Sequence, residues 1–159
     1  MNFLKINSAS KATSNAKSPA IITTENTLPY SDLQKQMIEI ARSLIEHGIN
    51  KGDYVSIISY NNKDFVVLVL ALWLIDAIPV PINTRFNDQE IENLIAIAGL
   101  KKILLHKDLE NKFNISKQII FPFNKAGITD FSLNSLDDTS KTAVVIFTSG
   151  STGTPKGVM

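Results

Sequence analysis

Apolar residues recur at two periods along this chain, and the switches between them mark out its elements. Leu33, Met37, Ile40, Ala41, Leu44 and Ile45 share one face at helical spacing, so SDLQKQMIEIARSLIEHG is predicted to be an amphipathic helix. Ser31 and Gln34 have capping-box spacing at its start, and Gly48 supplies a left-handed stop. Upstream, AIITTENTLPY holds two short β-prone runs around a Glu25-Asn26 turn, which predicts a hairpin with Pro29 at a strand margin. Downstream, a turn at Lys51-Gly52-Asp53 leads into an apolar strand that starts at Tyr54 and ends near Ser59.

The next run, FVVLVLALWLI from Phe65 to Ile75, is apolar on every side and predicts a buried helix over 64–75. It is shorter than the roughly 18 residues a membrane span requires, and Asp64 and Asp76 close its two ends. IPVPIN, Ile78 to Asn83, predicts a short strand. Asn87 and Glu90 form a second capping-box pair ahead of the helix DQEIENLIAIAG, which stops near Gly99. KKILLHK, Lys101 to Lys107, is a strand again. Strands and helices that alternate in this way predict an α/β fold, with a mainly parallel sheet and crossover helices on both faces.

From Asp108 to Thr142 the pattern weakens. QIIFPF is one more short strand, and NKAGITDFSLNSLDDTSK is a polar, turn-rich connection. TAVVIFTSG then begins as an apolar strand at Thr142 and breaks into a glycine-rich loop.

Charge and composition narrow the function classes. Sixteen basic against fifteen acidic residues leave a net charge of +1 with no basic block, which argues against a nucleic-acid partner. Cysteine is absent, which excludes disulfides, thiolate zinc sites and a cysteine nucleophile within this stretch. The opening residues are rich in Ser, Ala and Lys, as in organelle transit peptides, but the first arginine is Arg42; a cytoplasmic protein without a membrane span is expected.

The chemistry concentrates in FTSGSTGTPKG, Phe147 to Gly157. Glycines let the backbone approach an anion with successive N–H groups turned inward. Thr148, Ser149, Ser151, Thr152 and Thr154 add hydroxyl donors, and Lys156 adds a positive charge. The P-loop pattern G-x-x-x-x-G-K-[ST] does not fit: counted from Gly150, Pro155 takes the sixth position and Gly157 replaces the hydroxyl that would bind Mg²⁺.

What the stretch resembles is the glycine-rich loop of the adenylate-forming superfamily, whose signature [YF]-T-S-G-[ST]-T-G-x-P-K-G it matches at every position. LPYSDL, GINKGDYVSI, the YNN turn and VPINTRF fall where that family carries similar segments, in the same order. Residues 1–18 read as a flexible arm; the resemblance covers roughly 18 to 159 and implies the N-terminal portion of a large AMP-binding domain over 19–159, ending at the loop. It also implies a reaction: a carboxylate attacks the α-phosphate of ATP to give acyl-adenylate and pyrophosphate, and the thiol of coenzyme A then displaces AMP. In that scheme Thr148, Ser149, Gly150, Ser151, Thr152, Gly153, Thr154 and Lys156 contact the β- and γ-phosphates, while Pro155 and Gly157 shape the loop. The family's Mg²⁺-binding glutamate and catalytic lysine lie downstream, so no catalytic residue is expected in these 159 residues, and the isolated chain is expected to be inactive.

The short stretch ahead of the loop is similar to the o-succinylbenzoate–CoA ligases of menaquinone synthesis. Two other readings stay open: an adenylation module of peptide-synthetase type, and a non-catalytic nucleotide-binding module. Outside the loop, His47, His106 and Asp137-Asp138 read as structural or solvated groups, and Trp73 as core. Asn61-Asn62 reads as a turn, and Asn83, Thr84 and Arg85 as a loop-ordering group near a substrate-facing edge.

Overall fold

The structure, a computed structural model, describes residues 16–124, 140–148 and 156–158. Most of the arm, Asp137-Asp138 and loop residues 149–155 fall outside that range.

Strands β1 (Pro19–Ile22) and β2 (Thr27–Pro29) form the expected antiparallel hairpin. Thr23 closes its turn: the Oγ1 accepts the Asn26 N–H at 3.0 Å, and the Thr23 N–H donates to the Asn26 carbonyl at 2.8 Å. Helix α1 (Tyr30–Glu46) follows at once and buries Leu33, Met37, Ala41 and Leu44, with Ile40 and Ile45 half-buried. Its start departs from expectation. Pro29 is the N-cap residue and no side chain caps the helix; the Ser31 hydroxyl instead lies 3.3 Å from Asp32 Oδ1. The first-turn donors find backbone partners, Tyr30 N–H on the Ser18 carbonyl (3.1 Å) and Ser31 N–H on that of Ala16 (3.0 Å). The Ser31 N–H, the donor that the Gln34 side chain of a capping box would serve, is thereby already paired. Gly48, at φ +72°, ends the helix as expected.

The sheet then forms from β3 (Tyr54–Ile58), β4 (Ile78–Ile82), β5 (Lys102–His106) and β6 (Gln118–Phe121). All three pairings are parallel and the order is β4–β3–β5–β6. Helices α2 (Lys63–Leu74) and α3 (Asp88–Ala98) make the crossovers. Alternate strand residues serve opposite faces: Val55, Ile57 and Leu104 pack with α1 and α2, while Ile58, Val80, Ile82, Ile103 and Leu105 pack with α3. The capping box predicted for α3 is present in both directions, Asn87 Oδ1 accepting from Glu90 N–H (2.9 Å) and Glu90 Oε2 from Asn87 N–H (2.8 Å).

The path from β3 to β4 and then across to β5 reverses direction, which makes the C-terminal ends of β3 and β5 a switch point where open sheets hold ligands. Strand β4 is the sheet's outer edge on the other side. Its Ile78 N–H donates inward to the Asp53 carbonyl (2.8 Å), so Pro79 and Pro81 turn their main-chain groups outward. That edge offers carbonyl acceptors at both prolines and no N–H donor at either. Against it runs the segment that ends in β7 (Ile146–Thr148), with the Val145 N–H on the Pro79 carbonyl at 3.1 Å. The strand predicted from Thr142 thus joins a ladder only at Ile146. Among the described residues no helix is long and apolar enough to cross a membrane.

Candidate functional site

A final strand, β8 (Lys156–Val158), pairs antiparallel with β7. Its register sets Thr148 opposite Lys156, Phe147 opposite Gly157 and Ile146 opposite Val158. The two strands flank the stretch 149–155 in sequence. Sequence reasoning kept Lys156 and Gly157 inside the loop; the structure places both in a strand. Three residues, KGV, are too few to show a period, so no pattern announced β8. Ser149, Gly150, Ser151, Thr152, Gly153, Thr154 and Pro155 lie outside the described residues.

Gly157 has no left-handed backbone angle. A Cβ built on it would meet Val145 Cγ1 at 3.2 Å and the Phe147 ring at 3.3 Å. It is glycine because the Phe147 ring and the Val145 side chain take the space of a side chain.

The hairpin opens toward the sheet's C-terminal edge. Lys141 meets Asp76, ahead of β4, and Val145 meets Pro79 within it, so the segment advances in the same direction as β4. The loops after β3, β4 and β5 share that edge. After β4, Asn83 Oδ1 accepts the Arg85 N–H (3.0 Å) and the Asn83 carbonyl accepts the Phe86 N–H (3.1 Å), which orders the turn as expected. Lys112, beyond the end of β5, reaches across to donate to the Thr84 carbonyl at 2.7 Å. An open cavity of about 530 Å³ lies here, lined by Arg85, Phe86, Asn87, Lys112 and Phe113 among others.

After β3, Asn62 caps α2, its Oδ1 accepting the Phe65 N–H at 2.9 Å. His106, at the end of β5, is buried; its Nδ1 accepts the Asp108 N–H (3.2 Å), and its Nε2 stands 3.4 Å from Asp64 Oδ2 and 3.3 Å from the Asn62 amide. The ring also packs edge-on against Phe121. It ties two edge loops together, a structural role as read from the sequence. His47 is structural too, its Nδ1 at 2.7 Å from the Ser43 carbonyl and its ring stacked on Phe123. Among the described residues no three His, Cys, Asp or Glu side chains cluster to hold a metal.

The α2–β4 corner corrects the reading of Trp73. It is half-buried rather than core, and its indole N–H donates to the Ala143 carbonyl at 2.6 Å. Three residues on, Asp76 adopts φ +56° with its side chain nearly enclosed, and binds Lys141 at 2.8 Å and Lys51 at 3.3 Å. Burial alone would raise the Asp76 carboxyl; the hydrogen bonds and charges of Lys141 and Lys51 outweigh it and hold the group below the usual carboxylate value. A depressed pKa gives stability that is present above the unfolded value of about 3.9 and is lost as pH falls through the folded one. Both lysines reach solvent, so the cluster contributes about 1 kcal/mol after screening. Asp76→Asn, which tolerates the same backbone, is expected to cost that amount near neutral pH and progressively less below pH ~4. Denaturant titrations of both proteins across pH check this, and a pH-independent gap refutes the assignment.

A family model described as AMP-binding enzyme matches residues 9–159. The chain is similar to tyrocidine synthase 3 of Brevibacillus parabrevis, at 28% identity over 155 residues, covering 95% of this chain and 2% of that protein. It is 32% identical over 143 residues to the anguibactin system regulator of Vibrio anguillarum, covering 88% of this chain and 14% of that one. Among solved structures, o-succinylbenzoate CoA synthetase from Bacillus subtilis, in complex with its acyl-adenylate intermediate, matches with a TM-score of 0.76 at 25% identity. That match covers 92% of this chain and 40% of the other, so the chain spans a minor part of each relative named here.

Proposed function

Since the chain belongs to the AMP-binding enzyme family, we propose that it is the phosphate-holding part of an ATP-dependent, carboxylate-activating ligase. The observation that carries this reading is the hairpin register: Thr148 opposite Lys156 brackets a loop of the family's signature sequence at the sheet's C-terminal edge. In the proposed reaction a carboxylate oxygen attacks the α-phosphorus of ATP, the bond to the β-phosphate breaks, and pyrophosphate leaves with the negative charge. Residues Thr148 to Thr154 would supply N–H and hydroxyl donors to that leaving group, and Lys156 a cation. Donors aimed at charge as it develops lower the barrier more than they tighten ground-state binding. Mg²⁺ would neutralise phosphate charge when bound, and its ligands are expected elsewhere in the protein.

The adenylate then passes to a thiol. Likeness to the o-succinylbenzoate CoA synthetase supports coenzyme A as acceptor and o-succinylbenzoate as the first acid to try. Likeness to tyrocidine synthase 3 supports a second reading, a peptide-synthetase adenylation module that loads a carrier protein. ATP–pyrophosphate exchange with a panel of carboxylic and amino acids tests the common step. Exchange that depends on one acid sustains the reading, and the acid that works, followed by trials with coenzyme A, separates the two acceptors. No exchange with any acid, together with no ATP binding, would sink it.

A further inference from the structure

We propose that Trp73 and Asp76 are positioning residues for the phosphate loop, holding the strand that delivers it in register on an edge that cannot do so alone. The inference rests on the phosphate-holding reading of the loop. Strand β4 turns Pro79 and Pro81 outward, so a neighbouring strand finds carbonyl acceptors there but no N–H donors. A ladder with half its bonds missing specifies register weakly. The segment leading to β7 uses the available half, its Val145 N–H bonding to the Pro79 carbonyl. The missing half comes from side chains of the preceding helix and turn. The Ala143 carbonyl, which no β4 amide can serve, receives the Trp73 indole N–H at 2.6 Å, seventy residues away in sequence. Two residues earlier, Lys141 is fixed by Asp76 at 2.8 Å, and Asp76 is itself held by Lys51 and by the Gly52 N–H on its carbonyl.

These three ties fall at residues 141, 143 and 145, every second residue of the segment that leads into β7. Losing one permits the segment to slide or tilt along β4, and Thr148 and Lys156 shift with it because β7 and β8 are paired. The chemistry of the loop is untouched by such a shift; only its place on the edge changes. That separates a positioning role from a catalytic one.

The test uses the protein that carries this chain, with ATP as the probe. Trp73→Phe keeps the apolar ring and removes the donor, and Asp76→Asn keeps the backbone preference and removes the charge. Each is expected to weaken ATP binding roughly tenfold, the size of one lost hydrogen bond. Amide exchange should quicken in 143–148 and 156–158 while β3 and β5 stay protected. Leu44→Val, a core change on α1 in a cluster that includes neither Val145 nor Phe147, controls for general destabilisation and should leave ATP binding as it was. Variants that bind ATP like the unsubstituted protein overturn the proposal alone. An unsubstituted protein that binds no ATP overturns the phosphate reading and this proposal with it.

Discussion

Lys156→Ala is expected to lower ATP–pyrophosphate exchange by about 10²–10³-fold, the usual effect of removing one preorganised donor from a developing charge. The reasoning combines sequence and register. Lys156 is the only lysine in the signature stretch, and the β7–β8 pairing fixes its main chain opposite Thr148, at the mouth of the loop. A cation held on a strand at the loop's exit loses less conformational freedom on binding phosphate than one on an unpaired loop. Its effect should therefore appear in the rate more than in ATP affinity, since charge grows on pyrophosphate as the bond breaks. Lys156→Arg keeps the charge but replaces a compact ammonium with a planar fork, so partial recovery is expected. Thermal unfolding should be nearly unchanged in both variants. Exchange at the unsubstituted rate in Lys156→Ala would remove the lysine from the mechanism.

How much of this was legible in the sequence depends on where each partner lies along the chain. The face of α1, the left-handed stops at Gly48 and Gly99 and the Asn87–Glu90 box are local patterns, and each stands where the spacing predicted. The parallel sheet followed from strands and helices in alternation. The family match over 9–159 agrees with the resemblance drawn from the loop. What escaped depends on distant partners. Ser31 and Gln34 have the right spacing for a cap, yet the helix starts one residue earlier, at Tyr30, and the Ala16 carbonyl takes the Ser31 donor. Trp73 sits among apolar neighbours and reads as core, because its partner Ala143 lies on a segment that reaches it only through the tertiary fold. The prolines of IPVPIN could have warned of an edge strand, since a missing donor suits no central position.

Gly157→Val is expected to destabilise the protein by about 1–3 kcal/mol, an ordinary cost of overpacking, and to weaken ATP binding along with it. A flexible-loop glycine would tolerate the change, so the result discriminates between two reasons for glycine. Here the backbone is not left-handed, and the obstacle is the space taken by Val145 and the ring of Phe147, which stands directly opposite in the ladder. Both neighbours belong to the α3-side layer, so neither can yield without disturbing that packing. Alanine demands a shift of a few tenths of an ångström, and valine adds two methyl groups in the same direction, so the losses should be graded. Phe147→Leu, which opens space above the strand, should recover part of the stability and the binding when combined with Gly157→Val. Such recovery would show coupling between a strand residue and the loop it closes, through the cross-strand pair. A valine variant that melts and binds ATP like the parent would mean that hairpin packing does not govern the loop.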